Sequence, residues 1–200
     1  MSDLFNEKAK NWDSDEMKKN ISSAVASSIL KNVPLHQQMD VMDFGAGTGL
    51  ICSHVAPLVN KIVAVDISKA MLDKLAAKPE LRDKVEIVCQ DITTQAIDAQ
   101  FDLIMSAMAL HHVENTEKLI NIFSEHLKPG AKVALADLDE EDGSFHPEGT
   151  EGIFHSGFKR DELQTLLENN DFNDVQFFTA HIIKKREKEY PVFLVVATKC

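Results

Sequence analysis

The segment of this chain best suited to hold a ligand is Asp43-Phe44-Gly45-Ala46-Gly47-Thr48-Gly49. An acidic residue leads into three alternating glycines, between a short apolar run and a helix-like one. Glycines at such a junction let the backbone turn tightly and approach a ligand with no Cβ in the way. Three ligand classes compete for such a loop. A triphosphate cradle needs Gly-Lys-Ser/Thr, and Gly49 is followed by Leu50. A dinucleotide loop needs GxGxxG. Counted from Gly45 its third glycine falls on Leu50, and counted from Gly47 it falls on Cys52, which disfavours a nicotinamide-dependent oxidoreductase. What remains is a loop shaped for close approach to something other than pyrophosphate.

The elements around it alternate. Ile21, Val25, Ile29 and Leu30 recur at helical spacing, and Pro34 closes that helix. The first twenty residues are polar, with Phe5 and Trp12 as isolated aromatics, and read as a mobile or capping segment. Asp40–Phe44 is a strand. Leu50–Val59 reads as helical, with Pro57 late enough to bend or end it. Strands follow at Lys61–Asp66, Val85–Cys89, Phe101–Met105 and Lys132–Ala136. Helices are expected at Ser68–Ala77, which Ser68 could cap, and at Thr116–Leu127, which Lys128-Pro129-Gly130 stops. This alternation implies βαβ units, and so a mostly parallel sheet with helices on both faces. After a helix at Lys159–Glu168, the runs Val175–Ile183 and Tyr190–Thr198 form a hairpin around the basic stretch Lys184-Lys185-Arg186. The hairpin adds an antiparallel pair.

Composition excludes several functions. Among 200 residues, 21 Lys and Arg face 32 Asp and Glu, a net charge of −11. Such a surface repels phosphate backbones and anionic membranes. Neither nucleic acid nor membrane is therefore an expected partner. The three cysteines, Cys52, Cys89 and Cys200, are scattered and form no CxxC pair. They suit a reducing cytoplasm and suggest neither a disulfide framework nor a zinc knuckle. No basic leader and no run of bilayer-spanning length is seen.

Taken with its neighbours, the Asp43–Gly49 stretch resembles motif I of the class I S-adenosylmethionine-dependent methyltransferases. Asp66 ends the second strand about twenty residues later, where a carboxylate receives the ribose hydroxyls. The segment Ile67-Ser68-Lys69-Ala70-Met71-Leu72 is similar to the one whose apolar side chains line the adenine. Asp91-Ile92 stands where the family has an acid near the adenine amino group. Ser106-Ala107-Met108-Ala109-Leu110-His111-His112 matches the stretch after strand four, and Leu127-Lys128-Pro129-Gly130-Ala131 the turn before strand five. The resemblance covers residues 37–200 and implies a Rossmann-like seven-stranded sheet in the order 3-2-1-4-5-7-6, its last strand antiparallel. Residues 1–36 become an N-terminal helical cap. The implied cofactor is S-adenosylmethionine, leaving as S-adenosylhomocysteine. Asp43, Gly45, Ala46, Gly47, Thr48, Gly49, Asp66, Ile67, Met71, Asp91, Ile92, Ser106 and Ala107 are the residues expected to hold it.

Methyl transfer from a sulfonium needs mainly positioning and exclusion of water. A hydroxyl, thiol or ammonium acceptor also needs a base, and His112 and His111, just past strand four, are the candidates. The loop after strand five carries Asp137, Asp139, Glu140, Glu141, Asp142 and His146, with His155 beyond. It reads as a solvated loop, a cation-attracting lid or a metal site, and the ligand spacing is too irregular to expect a metal. Asp137, His146 and His155 are candidate substrate contacts, and Trp12 could close the pocket. The motifs of adenine-N6, glutamine and cytosine-C5 methyltransferases are missing after strand four. A small-molecule acceptor is thus the expected partner, with a protein acceptor or a non-catalytic donor sensor as alternatives. The oligomeric state is left open between monomer and homodimer.

Overall fold

A computed structural model describes residues 2–185 and 187–200; Arg186, the end of the basic run, lies outside the described residues. The sheet has seven strands: β1 (Asp40–Phe44), β2 (Lys61–Asp66), β3 (Val85–Cys89), β4 (Phe101–Ala107), β5 (Leu127–Leu138), β6 (Phe172–Lys185) and β7 (Lys188–Lys199). Their order is β3-β2-β1-β4-β5-β7-β6. Strands β1 to β5 pair in parallel, while β7 runs antiparallel to both β5 and β6. The expected Rossmann-like order and the antiparallel C-terminal strand are both found.

Among the described residues six α-helices flank the sheet: α1 (Ser2–Lys8), α2 (Glu16–Asn32), α3 (Cys52–Val55), α4 (Lys69–Ala76), α5 (Thr116–Glu125) and α6 (Arg160–Glu168). Side-chain caps mark where several begin. Asp15 accepts from the N–H groups of Met17 and Lys18 at the start of α2, Ser68 from Met71 in α4, and Asn115 from Lys118 in α5. Alternation along the strands divides the core in two. Val41, Leu103 and Met105 pack with Ile21, Val25 and Ile29 of α2 on one face. Met42, Ile104 and Leu135 pack with Phe123 of α5 and Leu163 of α6 on the other. Each such fully buried side chain contributes about 1.5–3 kcal/mol.

The first residues are helical, with α1 followed by a 3-10 stretch at Ala9–Ser14. Three expectations are corrected. The helix expected over Leu50–Val59 shrinks to α3 plus a 3-10 turn at Ala56–Leu58, because Pro57 has no N–H to continue the ladder. Helix α5 ends at Glu125, and Lys128-Pro129-Gly130 does not interrupt the strand behind it. The register against β4 jumps there, from Phe101↔Leu127 to Leu103↔Lys132, so the extra residues bulge out. Both hairpin strands are longer than expected, which carries β6 as far as Lys185. No helix among the described residues is long and apolar enough to cross a membrane.

Candidate active site

The carboxyl ends of β1 to β4 open into one cavity of about 550 Å³, within the ~300–1,000 Å³ usual for small-molecule sites. Parallel strands must end together at such an edge, so their terminal loops converge there. Helix α1, the 3-10 stretch, the start of α2 and the 139–158 loop add further walls.

One half of the cavity is built on backbone. Gly45 has φ +70°, and a Cβ there would stand 2.5 Å from Ala109 Cβ. Only glycine therefore lets the loop after β1 pass beneath the turn after β4. The N–H groups of Gly45 and Ala46 both donate to Val65 O, at 2.9 and 3.1 Å. Asp66 Oδ2 accepts from Gly47 N and Oδ1 from Ser68 N, each at 2.8 Å. Each carboxylate oxygen still keeps a lone pair for a ligand hydroxyl. Burial raises the Asp66 pKa, against the pull of those N–H groups.

Asp43 is only 2% exposed and takes a hydrogen bond from Cys52 Sγ at 3.0 Å. Burial pushes its carboxyl up to about 7; the Cys52 bond opposes this and the nearby Asp66 charge adds to it. Burial, and then Asp43 itself, push the Cys52 thiol well above its ordinary value, so it stays a donor. A buried carboxyl beside a hydroxyl-ready one suits a ligand that carries positive charge and vicinal hydroxyls. Ile67, Met71, Gln90, Asp91 and Thr93 extend the wall past β2 and β3. Asp91 is exposed, its Oδ1 taking Thr93 N and Oγ1 at 2.9 and 2.7 Å.

The N-terminal segment is fastened to this half. Asn6 Oδ1 accepts from Ser68 Oγ at 2.9 Å and Ala70 N at 3.3 Å. Asp13 accepts from Thr48 Oγ1 and pairs with Lys78 at 3.0 Å. Trp12, which lines the cavity, stands edge-on to Phe5 with centroids 6.4 Å apart and takes Lys18 Nζ 4.0 Å from its ring centre.

The other half is built from histidines. His111 and Asp137, 2% and 0% exposed, meet at 2.7 Å through Nδ1 and Oδ1. The carboxylate also accepts the N–H groups of His111 and Leu138, at 3.2 and 2.8 Å. An ionised carboxylate only accepts, so Nδ1 donates to it. Nε2 of His111 is buried with no hydrogen-bond partner, as is Nε2 of His146. Leaving such an atom unpaired costs about 1–3 kcal/mol. The His112 ring lies 4.1 Å and the His146 ring 5.2 Å from that of His111, centre to centre. Burial first, then the neighbouring His111, lower His112 and His146 to about 4, so both rings are neutral at pH 7.

The 139–158 loop folds back over these rings. His112 Nδ1 donates to Gly152 O at 2.7 Å, and Phe154 N to His111 O at 3.0 Å. His155 Nε2 donates to Val113 O at 2.9 Å. The acidic run is mostly paired rather than freely solvated. Arg160 grips Asp139 through two 2.7 Å bonds, Lys188 holds Asp142 at 2.6 Å, and Glu141 accepts Phe145 N at 3.0 Å. Among the described residues no group of three His, Cys, Asp or Glu side chains is arranged to hold a metal.

Of the residues singled out in the sequence, Asp43, Gly45, Ala46, Gly47, Thr48, Asp66, Ile67, Met71, Asp91, Ala107, His111, His112, His146 and Trp12 share the cavity wall. Five stand behind it. Gly49 turns the chain against Leu75, Ile92 joins the core under α5, and Ser106 Oγ donates to Phe44 O at 2.9 Å. Asp137 touches the cavity only through His111, and His155 anchors the loop. The wall also holds Phe5, Lys8, Phe145, Phe154 and Lys185, which sequence reasoning missed.

Residues 42–135 match the family model described as "Methyltransferase domain". An uncharacterized methyltransferase of Schizosaccharomyces pombe is 28% identical over 155 residues, covering 69% of this chain and 55% of the relative. The malonyl-[acyl-carrier protein] O-methyltransferase of Priestia megaterium is 25% identical over 178 residues, covering 88% and 61%. The chain thus spans a little over half the length of these two relatives. Among solved structures, the Haloferax volcanii complex of the Trm112 methyltransferase activator with a methyltransferase contains a similar fold. Its TM-score is 0.81 at 16% identity, covering 98% of this chain and 97% of that one. The sheet order and the methyltransferase-domain match over residues 42–135 agree with one another, and the fold is that of the methyltransferase structures it resembles.

Proposed function

We propose that this protein transfers a methyl group from S-adenosylmethionine to a small-molecule acceptor. The observation that carries the reading is the joining of two unlike halves in one cavity. A carboxylate-lined half suits the donor, and a half lined by neutral imidazoles suits an acceptor. When bound, S-adenosylmethionine supplies a methyl group already activated on a cationic sulfur. Asp66 would receive the ribose hydroxyls on its free lone pairs, and Asp43 would face the positive end. Ile67 and Met71 would line the adenine, with Asp91 at its edge. The segment 1–36 acts as a cap on the domain 37–200, Trp12 closing the wall and excluding water. Holding the acceptor in line is worth up to ~7–11 kcal/mol of barrier.

Of the two adjacent histidines, His111 is the better base. Asp137 fixes its tautomer, and its unpaired Nε2 is ready to accept a proton from the acceptor. His112 has committed Nδ1 to Gly152 O and fastens the loop instead. Both relatives are named methyltransferases, one of them a malonyl-[acyl-carrier protein] O-methyltransferase, which supports methyl transfer. A cavity walled by α1 and the 139–158 loop supports a small acceptor over a protein one. The test is transfer of labelled methyl from S-adenosylmethionine into a pool of small metabolites. Label should appear with the native chain and be strongly reduced with Asp66→Ala at donor concentrations below saturation. Label found only in protein, or none above the variant, would reject the reading.

A further inference from the structure

The acceptor half is cationic in a chain that carries a net charge of −11. Its two lysines come from opposite ends of the sequence. Lys8 ends α1, and Lys185 ends β6, which runs parallel to β5 and so finishes at the same edge as β4 and β5. Each rests on an aromatic ring that itself abuts a histidine. Lys8 Nζ lies 5.4 Å from the Phe5 ring centre, and Phe5 stands edge-on to His112 at 5.0 Å. Lys185 Nζ lies 5.1 Å from the Phe145 centre, and Phe145 stands edge-on to His146 at 4.8 Å. Lys185 also donates to Phe145 O, which holds the 139–158 loop in place. His146 feels both lysines, and its buried Nε2 has no partner. Carboxylates are segregated from this group. Asp43, Asp66 and Asp91 stand at the ends of β1 to β3, Asp137 is taken by His111, and Glu114 is exposed.

We infer that the acceptor is an acid, its oxyanion accepting from Lys8, Lys185 and the Nε2–H of His146, with its apolar part against Phe5 and Phe145. Two ammonium groups close to neutral imidazoles leave an uncompensated positive field, and an oxyanion satisfies it while giving the orphaned Nε2 a partner. The flanking rings supply the apolar surface that a carboxylic acid or phosphomonoester of a hydrophobic metabolite needs. This deepens the methyl-transfer reading and rests on it.

Ligand-observed NMR on the full chain saturated with S-adenosylhomocysteine tests it, with benzoate, phenyl phosphate and neutral benzamide as probes. At least one anion is expected to bind ten or more times tighter than benzamide. Which anion binds distinguishes a carboxylate from a phosphate acceptor. Lys8→Met and, separately, Lys185→Met should each weaken that anion at least fivefold and leave benzamide unchanged. Lys8→Met keeps the test open if Lys185→Met disturbs the loop. Equal binding of benzamide and both anions, or undiminished anion binding in both variants, would overturn the inference while bound S-adenosylhomocysteine leaves the donor site standing. Loss of S-adenosylhomocysteine binding in the native chain would instead reject the methyl-transfer reading beneath it.

Discussion

The two halves of the cavity are assembled differently. The carboxylate half comes from one stretch, Asp43 to Asp91, in which each strand delivers its acid directly to the edge. Its contacts are largely backbone: Gly47 N and Ser68 N on Asp66, and Gly45 N and Ala46 N on Val65 O. The histidine half is a meeting of side chains from α1, the turn after β4, the end of β5, the 139–158 loop and the end of β6. Backbone architecture suits a constant ligand, and side-chain assembly suits one that differs between related enzymes. Donor recognition and acceptor recognition should therefore fail independently when single residues are changed.

The sharpest division is expected at the His111–Asp137 pair. His111→Gln or Asp137→Asn should lower kcat by about 10²–10⁴-fold, the usual contribution of a general base. Donor affinity measured by calorimetry should stay within a factor of a few. Parallel losses of both would break the division. On the other side, Gly45→Ala places a Cβ 2.5 Å from Ala109 Cβ and a non-glycine residue at φ +70°. That strain is worth about 1–3 kcal/mol before any clash, so donor binding should collapse and the melting temperature fall. Asp66→Ala should weaken the donor by about 1–3 kcal/mol, roughly 5- to 150-fold, by leaving its hydrogen-bond partners unmatched.

Asp43 sharpens the comparison through pH. Its folded pKa of about 7 lies above the ordinary 3.8, so the folded chain keeps a proton that the unfolded chain releases. That contribution to stability without ligand is full below pH 3.8 and lost as pH rises through about 7. His112 and His146, lowered from 6.5 to about 4, act in the opposite sense: stability is full above 6.5 and falls as pH drops toward 4. Denaturation of Asp43→Asn against the native chain isolates the first effect. Their stability difference should change between pH 4 and 7 and stay flat above, while the variant binds donor more weakly. Asn6→Ala should have the smallest effect, about 0.5–1.5 kcal/mol for the bonds to Ser68 and Ala70, read as a modest loss of donor affinity.

The same contrast decides what could be read from the residues alone. Asp43 to Gly49, Asp66, Ile67 and Met71 were legible because a contiguous loop and regular strand-helix alternation suffice to bring them together. The His111–Asp137 pair was not, because it depends on β4 and β5 lying side by side. The register Ala107↔Ala136 then carries both chains to the same edge. Phe5 and Lys8 looked like parts of a polar leader, since nothing local reports that Asn6 and Asp13 fasten that leader over α4 and the glycine loop. Lys185 was hidden by strand length, as β6 continues beyond the expected Ile183. The Lys128-Pro129-Gly130 turn was misjudged for a related reason: expected to stop the helix ahead of strand five, it is absorbed by pairing with β4 as a bulge within β5.

The central claim is that the carboxylate half takes S-adenosylmethionine and not a dinucleotide. Calorimetric titration with S-adenosylhomocysteine, and with NADH in parallel, tests it most directly. One-site micromolar binding of S-adenosylhomocysteine and no heat with NADH is the expected result. Binding of NADH, or no binding of S-adenosylhomocysteine by the folded chain, would contradict it.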